Sequence, residues 1–426
     1  MNIFQRRESE IRSYSRSYPT IFERAEGARL FDREGRPYVD FFAGAGALNY
    51  GHNPPAMREA LIAYLQEGGV LHSLDMATVA KQRFLERFEE VILEPRGMDY
   101  KLQFTAPTGT NAIEAALKLA RRVTKRRNVI AFTNAYHGLS AGALAVTANR
   151  HFRHEAWTQR LDASFMPFDG YLGAGVDTLA YLRRSLSDTS SGIDLPAAIV
   201  LETVQAEGGV NIARTEWLQG VADLCQQHGI LLIVDDIQVG CGRTGSFFSF
   251  ERTGIRPDLI ALSKSISGCG LPMSLLLIKP EHDQWKPGEH TGTFRGNNLA
   301  FVAATEALNY WATAEFTAQI AARGAHMSAR LHALAAELPE IEAKPRGVGM
   351  IHGLEFKQAS RCQAVASEAF QQGLIIEICG SGKNVLKFLP PLTIDEATLD
   401  AGIDIVRSAV LATAKGSPAL TTAPSE

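Results

Sequence analysis

The chain has 426 residues, of which 46% are apolar and 21% are charged, with a formal net charge of −3. This length exceeds a single ordinary core, and the composition is that of a folded globular protein. A net charge so close to zero gives no reason to expect a large nucleic-acid footprint, so no nucleic acid is expected as a partner.

The cysteines and the apolar runs exclude further classes of protein. The five cysteines are scattered and never spaced as C-x-x-C, which predicts a reduced compartment and no metal site. Residues 1–19 carry charges throughout and lack an apolar segment, so they are not typical of a secretory signal. No apolar run reaches the length of a membrane span, and we therefore expect a cytoplasmic protein without a membrane partner.

The predicted elements begin with two short strands in residues 27–42, on either side of a D-R-E-G-R turn. Residues 43–55, AGAGALNYGHNPP, are rich in Gly and Pro and predict a loop of special backbone geometry. Further along, helical patterns such as 216–229 alternate with continuous apolar runs at 128–132, 197–202, 230–236, 259–264 and 275–278. Such runs are typical of parallel strands buried on both faces, so the pattern predicts an α/β fold with a mostly parallel central sheet.

The change of pattern along the chain predicts two domains. Residues 1–60 are predicted to form the N-terminal segment of a small domain and residues 61–310 a large domain. Residues 311–415 combine long helical patterns with short strands, which predicts the C-terminal, α+β part of the small domain. Residues 416–426 are predicted to be a disordered tail.

Three polar residues stand at the ends of successive apolar runs, namely Glu202, Asp235 and Lys264. Ligands of open α/β sheets gather beyond the carboxyl ends of the strands, so the three residues predict a single site. A buried carboxylate or ammonium is costly unless it meets a partner. A lysine can form an imine with an aldehyde, and a carboxylate can pair with a protonated pyridine nitrogen, which together are what pyridoxal phosphate requires.

Two further segments are candidates for the same site. Residues 108–110 lead into an apolar helical stripe, where backbone N–H groups at a helix N-terminus favour phosphate. Asn111 and Glu114 resemble a capping pair for that helix, although an ordinary capped helix is the simpler interpretation of this segment alone. Tyr136 and His137 lie in a Gly-bounded turn, where an aromatic ring could stack on a flat cofactor; a Tyr-His pair alone is more typical of core packing.

The motif GCGRTG at 240–245 matches the dinucleotide-binding pattern G-x-G-x-x-G and keeps a nucleotide-dependent dehydrogenase as an alternative. That pattern requires a helix N-terminus directly after the glycines to receive the pyrophosphate. Here the aromatic, turn-like segment SFFSFERTG follows instead, which disfavours a nicotinamide site.

The chain resembles the class III (ω-type) aminotransferases, fold-type I pyridoxal-phosphate enzymes, over essentially its whole length to about residue 410. The resemblance is carried by the stretches FFAGAGALNYGHN, PTGTNAIEAALKLAR, AYHG, LETVQAEGG, DDIQVGCGRTG, LSKSISG, TGTFRGNN, RGVGMIHGLEF and VLKFLPPLTI. It implies that Lys264 binds pyridoxal phosphate as a Schiff base and that Asp235 pairs with the ring nitrogen. Gln238 would hydrogen-bond the phenolic oxygen of the ring, while Tyr136 and Ile237 would lie on its two faces.

The resemblance also implies the phosphate site and the assembly. Gly109 and Thr110 would bind the phosphate, with Thr293 contributed by the other subunit of a homodimer or higher homo-oligomer. His137 is assigned to the cofactor site as well. Glu202 and Glu207 match the paired active-site glutamates of the family.

Two positions depart from the family pattern. Lys387 stands where many relatives use an arginine for the α-carboxylate of 2-oxoglutarate, and Leu139 replaces the arginine that follows Y-H-G in 4-aminobutyrate aminotransferases. Lysine lacks the bidentate fork of arginine, so neither role transfers directly. Arg295 is therefore a candidate anchor for a substrate carboxylate, with a structural interface arginine as the alternative, and Glu207 beside two glycines is a candidate for a partner that moves.

Within the family, VLHSLDMATVAK, GTFRGNNLAF and VLKFLPPLTI resemble the diaminobutyrate branch, particularly that of ectoine biosynthesis. The resemblance implies the reaction of L-glutamate with L-aspartate 4-semialdehyde to give L-2,4-diaminobutyrate and 2-oxoglutarate. The substrates would be small amino acids and keto acids. Alternatives remain open: the same chemistry for siderophore or peptide precursors, another ω-amino-acid aminotransferase, or a catalytically silent regulatory relative.

Overall fold

The computed structural model describes residues 3–105, 107–153 and 162–415. The expected disordered tail, residues 416–426, lies outside the described residues. The strands are β1 (Phe22–Glu26), β2 (Arg29–Asp32), β3 (Pro37–Asp40), β4 (Lys101–Phe104), β5 (Val129–Phe132), β6 (Ala163–Met166), β7 (Ala198–Leu201), β8 (Val204–Gln205), β9 (Asn211–Ile212), β10 (Leu231–Asp235), β11 (Leu259–Ser263), β12 (Ser274–Ile278), β13 (Lys344–Val348), β14 (Ile351–Glu355), β15 (Leu374–Ile375), β16 (Glu377–Cys379) and β17 (Val385–Phe388).

The α-helices are α1 (Ile3–Arg7), α2 (Tyr14–Ser17), α3 (Ala43–Gly46), α4 (Pro55–Gln66), α5 (Val79–Phe88), α6 (Gly109–Thr124), α7 (Ala141–Ala145), α8 (Thr178–Ser187), α9 (Thr215–His228), α10 (Asn298–Leu308), α11 (Glu315–Glu337), α12 (Ala359–Gln371) and α13 (Glu396–Lys415). A π-helical turn spans Glu89–Leu93. Short 3₁₀ turns lie at Glu94–Arg96, Glu251–Thr253, Lys264–Ser267, Pro280–His282, Asn309–Trp311 and Pro339–Ile341. In the described residues, no helix combines the length and the apolar character needed to cross a membrane.

The central sheet has the strand order β4-β12-β11-β10-β7-β5-β6. The pairs β11–β10, β10–β7, β7–β5 and β5–β6 are parallel, whereas β12 runs antiparallel to both of its neighbours. The expected α/β fold with a mostly parallel sheet is therefore confirmed. The expectation that the run at 275–278 is one more parallel strand is wrong in direction, because full burial gives the same continuous apolar run in either orientation.

The central sheet is buried between two layers of helices. Ile233 of β10 packs in a cluster with the apolar stripe of α6, whereas its neighbours Leu232 and Val234 pack with α9 residues such as Trp217. Alternate residues of one strand thus face opposite helical layers, which explains why the strand sequence is apolar throughout. Gly229 follows α9 in the left-handed conformation, with φ of 59°, as the Gly signal in the sequence predicts.

Smaller sheets join segments from both ends of the chain. The N-terminal strands β1, β2 and β3 form a sheet that β15 completes, with Leu374 opposite Val39. A second antiparallel sheet has the order β13-β14-β17-β16. This pairing of N-terminal and C-terminal strands fits a small domain built from both termini, but the boundaries 1–60, 61–310 and 311–415 remain a prediction.

Candidate active site

The three polar residues at the strand ends share one edge of the central sheet. Glu202 follows β7, Asp235 is the last residue of β10, and Lys264 follows β11. Because β7, β10 and β11 are adjacent and parallel, their carboxyl ends lie side by side. Lys264 has a φ of 55°, so the chain turns sharply there into the 3₁₀ turn that begins with it.

The amine of Lys264 points at a loop of unusual backbone geometry. Its Nζ donates to the backbone oxygen of Ala45 at 2.9 Å, and Gln238 Nε2 donates to the same oxygen at 2.8 Å. This loop contains the short element α3, in which Ala43 and Ala45 have φ values of 46° and 57° and Gly44 also has a positive φ. The element is therefore a left-handed turn and not a regular α-helix, a conformation that is strained for residues with a Cβ. The special geometry expected for residues 43–55 is confirmed. Burial lowers the pKa of Lys264, which favours the neutral amine.

Asp235 is fixed by two hydrogen bonds. Its Oδ2 lies 2.8 Å from Nδ1 of His137, and its Oδ1 accepts from the backbone N–H of Ile237 at 3.1 Å. The Nε2 atom of His137 is buried and has no hydrogen-bond partner among the described residues. The imidazole therefore sets the orientation of the Asp235 carboxylate, in the way that carboxylate–histidine pairs orient functional groups in other sites.

Glu202 shares this environment. Its Oε2 accepts from the backbone N–H of Tyr136 at 3.2 Å, which joins the Tyr136–His137 turn to the end of β7. Burial, followed by the nearby charge of Asp235, raises the pKa of Glu202 well above its usual value. The structure thus brings together Glu202, Asp235, Lys264, Tyr136 and His137, as the sequence predicts.

The N-terminus of α6 forms a close-packed cradle. A Cβ on Gly109 would lie 2.8 Å from Cδ1 of Ile237, and a Cβ on Gly138 would lie 2.5 Å from Oγ1 of Thr110. Thr110 Oγ1 is in turn 2.5 Å from the hydroxyl of Ser140. The glycines keep side chains away from this helix N-terminus, so that the backbone N–H groups of its first turn can meet an anion, although that of Asn111 already donates to Thr108.

The expected capping pair is wrong. Thr108 is the N-cap residue of α6, and its backbone N–H donates to Oδ1 of Asn111 at 3.3 Å. Glu114 instead accepts from the Ser140 hydroxyl at 2.5 Å and from the N–H of Gly142 at 2.8 Å. The helix starts earlier than the sequence pattern indicates because Gly109 and Thr110 are already in its first turn, so Glu114 is free to hold the next turn of chain.

Lys387 lies at the centre of a buried charged cluster. Its Nζ is 2.5 Å from Oε1 of Glu207, 3.0 Å from Oε2 of Glu377 and 3.3 Å from Oε1 of Gln238. Burial alone would lower the pKa of Lys387, but the charges of the two carboxylates outweigh burial and raise it well above its usual value. Because Gln238 also bonds to Ala45, the cluster connects directly to the surroundings of Lys264.

The pKa values of the two carboxylates in this cluster are shifted in opposite directions. Burial would raise the pKa of Glu207, but the nearby Lys387 and Lys264 outweigh burial and lower it. Burial raises the pKa of Glu377, and Lys387 offsets only part of that effect. The hydroxyl of Tyr14 donates to Oε1 of Glu377 at 3.1 Å.

Glu377, Tyr14 and the Ala45 carbonyl are absent from the residues that the sequence indicates. A glutamate within the apolar run GLIIEIC is the one signal that points to Glu377. Tyr14 carries no local signal, because its role depends on a contact 363 residues away along the chain. A backbone carbonyl such as that of Ala45 has no signature in the side-chain pattern at all.

Two other predicted residues, Thr293 and Arg295, lie in the partly exposed loop at 290–296. Thr293 is exposed. Burial, followed by the charge of Arg295, lowers the pKa of His290, and the buried Nε of Arg295 has no hydrogen-bond partner within the described residues. In that same part of the chain, no hydrogen bond or ion pair joins Arg295 to Lys387 or Glu207. The structure therefore does not bring Arg295 into the charged cluster.

Leu139 is half exposed, next to the Tyr136–His137 turn.

The GCGRTG segment does not precede a helix. Residues 240–250 form consecutive turns, with φ values of 91° at Gly242 and 111° at Gly245. Arg243 is fully buried and donates to the backbone oxygens of Met350 and Pro390. The segment is thus a structural connection to the C-terminal sheet and lacks the helix that a dinucleotide would need.

The residues at this edge of the sheet fit pyridoxal phosphate. The glycine-lined N-terminus of α6 suits its phosphate, the oriented Asp235 suits its ring nitrogen, and the buried Lys264 amine suits its aldehyde. Ile237, which contacts Gly109, and Tyr136 supply apolar and aromatic surface for a flat ring.

Comparison with known proteins agrees with this geometry. The aminotransferase class-III family matches residues 12–410. The chain is 60% identical to a diaminobutyrate--2-oxoglutarate transaminase of Wolinella succinogenes over 410 residues, which cover 96% of each chain. It is 52% identical to a protein of the same name from Oceanobacillus iheyensis over 412 residues, 97% of this chain and 96% of that one.

The fold is also found among solved structures. An ornithine aminotransferase from Toxoplasma gondii superimposes with a TM-score of 0.84 at 25% identity, covering 97% of this chain and 94% of that one. Since the family match spans nearly the whole sequence, and since relatives of more than half identity cover nearly all of it, membership is established. The chain belongs to the class-III aminotransferases, which are pyridoxal-phosphate enzymes.

Proposed function

We propose that the chain transfers the amino group of L-glutamate to the terminal carbon of L-aspartate 4-semialdehyde, giving L-2,4-diaminobutyrate and 2-oxoglutarate. The observation that carries this proposal is the ion pair between Lys387 and Glu207 at the position where many relatives have an arginine. Gln238 connects this pair to the surroundings of Lys264. Relatives of 52% and 60% identity that bear the name diaminobutyrate--2-oxoglutarate transaminase support the same substrates.

Lys264 is proposed to be the catalytic base. When bound, pyridoxal phosphate withdraws electrons from the carbon that carries the substrate amino group. Burial lowers the pKa of Lys264, which favours the neutral form of its amine, and its Nζ is proposed to accept a proton from that carbon and to return it in the later half of the reaction. Asp235, oriented by His137, provides the negative charge expected to face the ring nitrogen.

The remaining assignments of the cofactor site belong to the same proposal. Gln238 is proposed to hydrogen-bond the phenolic oxygen of the ring. Glu202 is proposed to be a polar residue of the cofactor site beside Tyr136. Gly109 and Thr110 are proposed to bind the phosphate through the N-terminus of α6.

The two substrates require different surroundings at the reacting carbon. Glutamate reacts at a carbon that also bears a carboxylate, whereas the semialdehyde reacts at a terminal carbon without one. A cation is useful for the first substrate and unfavourable if left unpaired for the second. We infer that Glu207 neutralises Lys387 when the terminal carbon is in place and moves aside when a carboxylate arrives. Arg295 remains a candidate anchor for the carboxylate at the other end of either substrate.

The assembly that we propose is a homodimer with shared active sites. Thr293 is exposed, and the neighbouring Phe294 exposes 66% of its surface. The ring of Phe294 lies 5.4 Å from that of His72, and it continues an exposed apolar surface: Val70, Leu71, Leu74, Met76. Such a surface is typical of a protein–protein interface, and it would place Thr293 against a partner. Light scattering of wild type and of Phe294→Asp tests this assembly, because the charge should release monomers.

The cellular setting is also part of the proposal. We infer that the enzyme is cytoplasmic, because the free cysteines stay reduced in that compartment. We also infer that it makes diaminobutyrate for ectoine biosynthesis. The same reaction would serve siderophore or peptide precursors. The functions of the genes adjacent to this one decide between the two pathways.

A panel of amino donors tested with L-aspartate 4-semialdehyde checks the reaction. We expect L-glutamate to be the preferred donor and diaminobutyrate to be the product, identified by mass spectrometry. The cofactor spectrum in single turnovers should convert with glutamate alone and revert on adding the semialdehyde. A spectrum that reverts with another ω-aldehyde but not with this one would assign the chain to a different ω-aminotransferase reaction.

A further inference from the structure

We propose that Glu377, supported by Tyr14, is a fixed partner that holds Lys387 in place while a substrate carboxylate exchanges with Glu207. This inference rests on the proposed function, because it concerns how the same site accepts glutamate. It assigns a positioning role to Glu377 and Tyr14, two residues outside the cofactor site described above.

The need for a fixed partner follows from the chemistry of lysine. An arginine presents a planar fork with several donors, so one guanidinium can bind a carboxylate while other N–H groups hold it in place. The ammonium of Lys387 is a compact charge on a flexible stem, and its side chain is completely buried. If Glu207 were its single carboxylate partner, the ammonium could follow Glu207 and leave the substrate without a cation.

Glu377 has the geometry of a fixed group. It lies in β16, directly opposite Lys387 of β17 in the antiparallel register. Its side chain is 10% exposed, with one carboxylate oxygen 3.0 Å from Lys387 Nζ and the other accepting from Tyr14. One oxygen of Glu377 therefore accepts a hydrogen bond and the other is in ion-pair contact with Lys387, while pairing of β16 with β17 restricts the backbone.

Glu207 has the geometry of a mobile group. It lies in the short connection between β8 and β9, immediately before Gly208 and Gly209, and its side chain is 28% exposed. The backbone of this connection is held, because the carbonyl of Glu207 accepts from the N–H of Gly380 at 2.9 Å, so the movement is a rotation of the Glu207 side chain. The greater exposure gives the Glu207 carboxylate access to solvent when it leaves Lys387, whereas Glu377 would move into a buried space.

The charges of the cluster are consistent with exchange at Glu207. Lys387 faces two carboxylates, so the group of three carries one carboxylate more than its single cation balances. When a substrate carboxylate takes the place of Glu207, the charges around Lys387 stay the same. The exchange then costs little in electrostatic free energy, provided that Lys387 does not move.

The test compares Glu207→Gln with Glu377→Gln in the holoenzyme. The half-reaction with L-glutamate is followed by the cofactor spectrum, and the KM for glutamate is measured without any second substrate. Glu207→Gln removes the charge of the mobile partner and should lower the KM for glutamate, because the substrate carboxylate no longer competes with the Glu207 carboxylate for Lys387. Glu377→Gln removes the charge of the fixed partner and should raise the KM for glutamate about tenfold, because Lys387 can then move with Glu207.

Two tyrosines provide a matched pair of milder variants. Tyr14→Phe removes the hydrogen bond to Glu377 and should raise the KM for glutamate about threefold, as expected for one hydrogen bond. The hydroxyl of Tyr18 donates to the backbone oxygen of Ile376, next to Glu377, at 2.9 Å. Tyr18→Phe removes that hydrogen bond and should leave the KM for glutamate unchanged. These variants remain informative if Glu377→Gln does not fold.

The outcomes separate this inference from the proposed function. If Glu207→Gln and Glu377→Gln shift the KM for glutamate in the same direction, or if Tyr14→Phe and Tyr18→Phe behave alike, the fixed-partner role is wrong. If the wild-type cofactor spectrum does not convert with glutamate at all, the proposed function itself is wrong. The KM of the terminal aldehyde in the second half-reaction should change less than twofold in Glu377→Gln, since no carboxylate then replaces Glu207.

Discussion

The Nδ1 atom of His137 lies 2.8 Å from Oδ2 of Asp235, and both residues are buried. The second oxygen of Asp235 accepts from the backbone N–H of Ile237, so the carboxylate has a single orientation. This arrangement makes His137 a positioning residue for Asp235, and its replacement should act on the cofactor through that carboxylate.

His137→Phe should weaken the binding of pyridoxal phosphate about tenfold, the size of effect typical of a lost orienting partner. The phenyl ring fills a similar volume but offers no N–H to Asp235. Titration of cofactor-free protein with pyridoxal phosphate, followed by fluorescence, measures the change. His332→Phe, at an exposed position of α11, is the control. Equal cofactor affinity in the two variants would show that His137 does not position Asp235.

Lys264→Ala should abolish both turnover and the visible absorbance of protein-bound cofactor. In the proposed reaction this amine is the nucleophile for the cofactor aldehyde, and burial lowers its pKa, which favours the neutral form needed for proton transfer. Absorbance spectra before and after borohydride reduction, with mass spectrometry of the reduced peptide, check the attachment. A variant that retains the absorbance and the activity would show that another residue carries the cofactor.

The sequence predicts the central sheet and the catalytic edge because both depend on local patterns. Each of the five apolar runs corresponds to a strand to within about one residue at either end. Glu202, Asp235 and Lys264 lie together because parallel neighbours bring their carboxyl ends to one edge. The direction of β12 could not be predicted, because a fully buried strand looks alike in both orientations.

The charged cluster around Lys387 depends instead on contacts between distant parts of the chain. Tyr14, Glu207 and Lys387 come from the N-terminal segment, the β8–β9 connection and β17, and no local pattern joins them. The sequence indicates that Lys387 replaces an arginine, but the second carboxylate becomes visible only in the register of β16 with β17. The prediction that Asn111 and Glu114 form a capping pair is wrong for the same reason, since the partner of Glu114 is Ser140 on another segment.

Lys387→Ala should raise the KM for glutamate and for 2-oxoglutarate more than the KM for aspartate 4-semialdehyde. The first two compounds carry a carboxylate on the reacting carbon, and the semialdehyde does not. Steady-state kinetics with each substrate varied in turn measures the difference. Equal effects on all three KM values would remove Lys387 as a carboxylate-binding group.

The same variant should also lower the stability of the protein. Glu207 and Glu377 would face each other without a cation, and breaking a buried ion pair from one side costs about 3 kcal/mol or more. Urea unfolding at neutral pH checks this expectation. Lys357→Ala, which removes an exposed pair with Glu342, is the control and should change stability by less than about 1 kcal/mol.

Glu202→Gln should stabilise the cofactor-free protein, and increasingly so as the pH rises. Burial, and then the charge of Asp235, raises the pKa of Glu202 well above the 4.5 of a free glutamate. Below pH 4.5 both folded and unfolded chains hold the proton, so Glu202 costs nothing. As the pH rises through 4.5 the unfolded chain releases this proton first, and the folded state loses stability until its own pKa is passed.

Glutamine removes this pH-dependent cost while keeping an oxygen that accepts from the Tyr136 N–H. The melting temperature of Glu202→Gln should therefore exceed that of wild type by a larger margin at pH 8 than at pH 5. Thermal unfolding of both cofactor-free proteins across that range measures the margin. A constant difference at all pH values would mean that Glu202 is ionised in the folded protein throughout the range. Turnover of the variant should fall even though the protein is more stable, because a buried carboxyl that disfavours folding is retained for its function.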